Sequence, residues 1–112
     1  MGGIIAAQYA ANHPDAIDGI VLLASYSTVQ IPQNIALCSI YGANDGCLDL
    51  EEYESHKADF PPVSEEHVID GGNHAQFASY GEQKGDGAAA ISSEAQVRET
   101  SDMICNFAQR IR

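Results

Sequence analysis

Two short, unbroken apolar runs decide what this chain can fold into. Residues 19–24 (GIVLLA) and 35–41 (IALCSIY) show almost no alternation of apolar and polar side chains. A strand with one wet face alternates, so runs like these suit strands covered on both faces, as in a parallel sheet. Residues 67–70 (HVID), closed by Gly71-Gly72, form a third strand candidate. Parallel neighbours need a crossover between them, and helical segments fill that role here. The alanine-rich stretch from Met1 to His13 ends at Pro14, which disfavours helical geometry at the residue before it. Apolar residues on nearly all sides of that stretch predict a helix buried over most of its circumference. Asp49 with Glu52 three residues on has the side chains of a capping box, and predicts a helix running to about Lys57, before Pro61-Pro62. Ser93-Glu94-Ala95-Gln96 repeats that pattern and opens a last helix. Its apolar face is expected to carry Val97, Ser101, Ile104, Ala108 and Ile111, joined by Met103 and Phe107.

The order is therefore helix, strand, strand, helix, strand, helix. That predicts an α/β architecture, a mostly parallel three-stranded sheet flanked by helices. The 112 residues suffice for one domain, residues 1–112, with a modest core. Residues 73–93, rich in Gly, Ala and Ser, read as one long loop of the functional or mobile kind.

Charge narrows the function classes. Five Lys and Arg against 16 Asp and Glu give a formal charge of −11, which repels phosphate backbones and anionic lipid. No nucleic-acid or membrane partner is expected, and no apolar run approaches the ~20 residues of a bilayer span. The apolar start lacks the basic region of a signal peptide. Cys38, Cys47 and Cys105 are an odd number at irregular spacing, against a disulfide framework or a zinc knuckle, so a cytoplasmic protein is the simplest expectation.

In a parallel sheet, ligands sit beyond the carboxyl ends of the strands. Three segments reach that edge: the Met1-Gly2-Gly3 turn, the Asn44-Asp45-Gly46 loop after the second strand, and the Gly72-Asn73-His74 loop after the third. A carboxylate and an imidazole on neighbouring loops suit an orienting acid and a general base. Asp49 competes as the acid, but its capping role accounts for it. His13, His56 and His67 show no ligand spacing. Asp45, Gly46 and Glu52 fit the fifth, sixth and last positions of a calcium loop, yet Tyr41 and Ala43 then supply no carboxylate where two are needed. No phosphate-binding glycine motif is present. No metal and no cofactor are expected.

These residues carry a resemblance. Gly2-Gly3 before an alanine-rich helix, then the N-D-G loop, then the G-N-H loop, resemble in order and spacing the C-terminal half of an α/β-hydrolase. Gln76-Phe77 and the segment Tyr80-Gly81-Glu82-Gln83-Lys84-Gly85-Asp86-Gly87 are similar to a bacterial, dienelactone-hydrolase-like branch. The resemblance implies a partial α/β-hydrolase fold, with Asp45 as triad acid, His74 as triad base, the Met1 amide in the oxyanion hole and a small ester-like substrate. It places the nucleophilic serine immediately before Met1. Ser25, Ser27 and Ser39 lack the G-x-S-x-G setting, so this chain alone is expected to lack acyl-enzyme chemistry. The first strand lacks its usual neighbour, and its open edge predicts self-association as a homo-oligomer.

Overall fold

A computed structural model describes residues 2–78 and 81–111. Helix α1 spans Gly2–Asn12 and leads to strand β1, Gly19–Leu23. Strand β2 follows at Ala36–Gly42, and then helix α2 at Leu50–Ser55, extended by a 3₁₀ turn over His56–Asp59. Strand β3 runs over Ser64–Ile69, and a 3₁₀ turn at Ala75–Phe77 precedes the long helix α3, Ser93–Arg110. The sheet order is β1-β2-β3 and both pairings are parallel, with Gly19 opposite Ala36 and Leu37 opposite Ser64.

Central β2 is covered on both faces, as its sequence requires. Leu37 joins Ile20, Leu22, Ala7 and Ala10 in a core on the α1 side. Ala36, Cys38 and Ile40 point the other way and pack with Ile69 and Phe107 on the α3 side. Alternate side chains of one strand thus feed two cores.

Three details differ from the sequence expectation. β3 begins at Ser64, not His67, because it is an edge strand whose pattern from Ser64 to Val68 is only half buried. Such an edge accepts Glu65 and Glu66, which an apolar criterion passes over. Helix α1 buries only Ala7 and Ala10, while Ile5 and Tyr9 stay 60% and 52% exposed. The described residues cover only the face of α1 that meets β1 and the segment carrying Ile31 and Ile35. In α3 the buried residues are Gln96, Thr100 and Phe107, with Met103, Ile104 and Ile111 packed against the core. Val97 is 51% exposed, and Ser101 and Ala108 face outward. The buried face is turned by about one residue because Gln96 and Thr100 satisfy their polar groups internally, Thr100 by donating to the Gln96 carbonyl at 2.7 Å.

Caps set the helix starts. Asp49 accepts from the Glu52 amide at 3.1 Å, as expected. Ser92, one residue before the expected cap, accepts from the Ala95 amide at 3.1 Å. Ser93 is thereby free to donate to Gln76 Oε1 at 3.1 Å.

Candidate active site

The loops after β2 and β3 lie side by side because their strands are neighbours ending in register, Gly42 opposite Ile69. The Ala43 amide donates to the Ile69 carbonyl at 2.9 Å and the Asn44 amide to the Gly72 carbonyl at 2.8 Å. A Cβ at residue 42 would collide with the Gly72 backbone, so only glycine permits this approach.

On this platform the Asp45 and His74 side chains meet, with Nδ1 donating to Oδ2 at 2.9 Å. The Asp45 side chain is 1% exposed and lies beneath the imidazole, which is 24% exposed. Its other oxygen, Oδ1, accepts from the Cys47 amide at 2.8 Å and the Leu48 amide at 2.7 Å. A carboxylate held on three sides has a fixed direction. It also orients the ring: in the neutral imidazole such a contact places the proton on Nδ1 and leaves the Nε2 lone pair free.

Two further side chains, not singled out in the sequence, build the support. Asp86 bonds the backbones of both loops, through the amides of Gly46, His74 and Ala75. Burial pushes its carboxyl up, but four backbone amides together outweigh burial and hold it below the usual range. Gln96 is fully buried and clamps Asn73, accepting from its amide at 3.1 Å and donating to its carbonyl at 2.8 Å. Gln96 Oε1 also accepts from Gln76 Nε2 at 2.8 Å. The aspartate between Gly85 and Gly87 was a readable sign, since small neighbours let a carboxylate reach several amides. Nothing in the helical period marks Gln96.

The remaining candidates lie elsewhere. His13 is exposed and rests on the Tyr9 carbonyl, His56 pairs with Glu52 and Asp59, and His67 pairs with Glu65. Cys38 is buried, and burial followed by the nearby Glu65 pushes its thiol up to about 12. Cys47 is exposed; desolvation, then Asp86 and Asp45, push its thiol up, contrary to what a nucleophile needs. Met1, the expected oxyanion donor, lies outside the described residues, as does Tyr80 of the branch-like segment. Glu52, the last position of the calcium-loop reading, lies on α2, where it pairs with His56. Asp45, Cys47 and Asp86 bring ligand atoms within 4.8 Å of one another, as do Cys38, Glu65 and His67. In the first group the carboxylate oxygens already serve amides and an imidazole, and in the second Glu65 is paired with Arg110. Neither group presents a free carboxylate to a cation. A groove of about 810 Å³ borders Asn73 and Asp86, but neither Asp45 nor His74 lines it. Among the described residues no helix is long and apolar enough to cross a membrane.

No curated protein and no solved structure matches the chain. The model of the alpha/beta hydrolase family matches residues 1–98, a span that contains β1, β2 and β3 and the loops carrying Asp45 and His74. On that match, and with the parallel sheet it requires in place, the chain belongs to the alpha/beta hydrolase family.

Proposed function

We propose that this chain carries the acid and the base of a serine-hydrolase triad that cleaves esters or related acyl bonds of small molecules, in a dienelactone-hydrolase-like branch of the family. The nucleophile is a serine immediately preceding Met1, and the Met1 amide is one of the two oxyanion donors. The supporting observation is the 2.9 Å contact from His74 Nδ1 to Asp45 Oδ2 above the carboxyl ends of adjacent parallel strands. In this reading the serine hydroxyl attacks the acyl carbon while His74 Nε2 takes its proton. The imidazolium, steadied by Asp45, then protonates the departing alkoxide and leaves an acyl-enzyme. Water attacks the acyl carbon, gives its proton to Nε2, and the serine leaves with that proton. The three free thiols Cys38, Cys47 and Cys105 support a reducing, cytoplasmic setting.

The test joins the chain to the segment that supplies a Gly-x-Ser turn and follows hydrolysis of a short p-nitrophenyl ester. Loss of the base or of its orienting acid is expected to lower kcat by about 10⁴-fold, as in other triads. Unchanged turnover in His74→Ala counts against the proposal. A serine-directed phosphonate should leave the 112-residue chain unlabelled, and labelling at Ser25, Ser27 or Ser39 would refute the placement of the nucleophile.

A second reading concerns the isolated chain, which we propose associates with another copy through β1. Among the described residues β1 pairs with β2 alone, and Ile5, Tyr9 and Leu23 are exposed on or beside it. An open apolar edge favours pairing between chains. Light scattering at micromolar concentration should give a dimer mass or larger, and a monomer mass refutes this reading.

A further inference from the structure

Asp86 belongs to no helix or strand, yet its carboxylate accepts from backbone amides of both loops that carry the acid–base pair. Its Oδ1 accepts from the amides of Gly46 at 3.1 Å, His74 at 3.1 Å and Gly87 at 2.9 Å, and its Oδ2 accepts from the Ala75 amide at 2.9 Å. Gly46 directly follows the acid Asp45, and His74 is the base. One carboxylate therefore bonds the backbones on which both members of the pair are mounted. Hydrogen bonds to a charged acceptor are about twice as strong as neutral ones, so this carboxylate ties the two loops more firmly than the neutral bond from the Asn44 amide to the Gly72 carbonyl.

The surroundings of Asp86 are shaped for that contact. A Cβ at Gly46 would collide with the Gly85 carbonyl oxygen, and one at Gly87 with the Asn44 carbonyl oxygen. Both loops also reach toward the Asp86 segment: Asn44 Nδ2 donates to the Ala88 carbonyl, and Asn73 Nδ2 to the Gly87 carbonyl, each at 3.0 Å. Side chains on either side of the pair thus anchor residues 85–88 at the same place.

We infer that Asp86 is the positioning residue of the pair, setting the separation of Asp45 from His74 by holding both loop backbones to one carboxylate. It acts through Gly46 and the His74 amide and contacts no reacting atom. The inference rests on the reading of Asp45 and His74 as acid and base. Removing Asp86 therefore loosens the imidazole–carboxylate contact while the sheet, whose cores contain no part of residues 81–90, stays folded.

The imidazole Nδ1 proton reports this contact directly by nuclear magnetic resonance on the 112-residue chain. A proton shared with a buried carboxylate resonates far downfield and exchanges slowly with water, and Asp45→Asn should abolish that signal. In Asp86→Ala the signal is expected to vanish or to exchange at least about tenfold faster, the scale of one lost hydrogen bond to a charged group. Asp86→Asn, which keeps one acceptor oxygen, should fall between it and the wild type. The β2 amide signals should keep their dispersion in both variants. Wild-type protection of the proton in Asp86→Ala overturns the role of Asp86 and leaves the pair standing. Absence of the signal in the wild-type chain overturns the pair, and the role of Asp86 with it. Collapse of the β2 amide signals in both variants also overturns it, because Asp86 would then hold the fold and not the pair.

Discussion

Replacing Gln96 by leucine isolates the contribution of one buried amide to the base loop. Leucine is close to glutamine in length and is an equally good helix former, so α3 itself should be indifferent to the change. What disappears is the paired bond to Asn73, whose amide and carbonyl both face the Gln96 side chain, at 3.1 and 2.8 Å. Gln76 loses one partner but keeps its bond to the Ile91 carbonyl at 3.2 Å. Each backbone group stranded away from water costs about 1–3 kcal/mol, and two are stranded here. Asn73 is only half buried, so water recovers part of this and the lower end applies to both. The expected loss is about 2 kcal/mol, a large share of the 5–15 kcal/mol typical of a folded domain. With a urea dependence of about 1–1.5 kcal/mol per molar, the unfolding midpoint should fall by roughly 1.5 M. Circular dichroism in a urea series measures it, with Val97→Ala as control. Val97 is 51% exposed, so its midpoint should barely move, although the helical period alone placed it in the core. A Gln96→Leu midpoint within about 0.3 M of wild type, or a larger fall for Val97→Ala, would refute the assignment of the clamp.

Two further outcomes follow from the charged groups. Alkylation by iodoacetamide at pH 8, read by mass spectrometry, should modify exposed Cys105 first, Cys47 more slowly because desolvation, Asp86 and Asp45 push its thiol up, and buried Cys38 last. Cys47 reacting ahead of Cys105 would contradict the electrostatics described for the acid loop. Acid should also destabilise the fold through carboxyls held low in the folded state. Burial pushes Asp86, Glu65 and Glu66 up, but the amides on Asp86, Arg110 and His67 on Glu65, and Tyr53 and Lys57 on Glu66 together outweigh it. Their folded pKa values thus lie below the usual 3.8 of Asp86 and 4.5 of the glutamates, so the stabilisation is complete above those values and is lost as pH falls through the depressed ones. Urea midpoints measured below pH 4.5 should fall with pH, and Asp86→Asn should flatten that slope; an unaltered slope removes Asp86 from the account.

The parts of the molecule legible in the sequence are those where one-dimensional pattern and three-dimensional environment coincide. The two apolar runs became β1 and β2 because a strand covered on both faces admits few polar residues, and Ser39 is buried in β2 with its hydroxyl paired to Tyr53 at 2.7 Å. Asp45 and His74 could be paired in advance because each follows its strand directly, and adjacent parallel strands deliver their following loops to the same edge. Legibility failed where burial and polarity part company. Ser64, Glu65 and Glu66 hid the start of β3, whose edge position leaves those side chains access to water and to Arg110 and Lys57. Gln96 and Thr100 hid the inner face of α3 because their bonds, to the base loop and to the helix carbonyl, make burial tolerable. Asp86 is marked in the sequence only by its flanking glycines, since a bond from a side chain to a distant backbone amide leaves no period.

Residues 85–88, in the connection between the His74 loop and α3, accordingly work as a wedge. A glycine- and alanine-rich connection of this kind is expected to move, because its residues retain many conformations and bury little apolar surface. Residues 85–88 instead accept hydrogen bonds from Asn44, Gly46, Asn73, His74 and Ala75. Their entropy of ordering is offset by polar contacts, most of them to one ionised carboxylate. Glycine suits residue 87 because a side chain there would collide with the Asn44 carbonyl, and residue 85 because its backbone takes a positive φ of 87°. Both polar anchors, Asp86 and Gln96, follow His74 in the chain, so a sheet that ends at the base loop would present Asp45 and His74 on neighbouring strands without fixing the distance between them. The sheet brings Asp45 and His74 together; the connection between Ile69 and Ser93 contains the wedge, and α3 supplies the clamp on Asn73 that steadies the loop carrying His74.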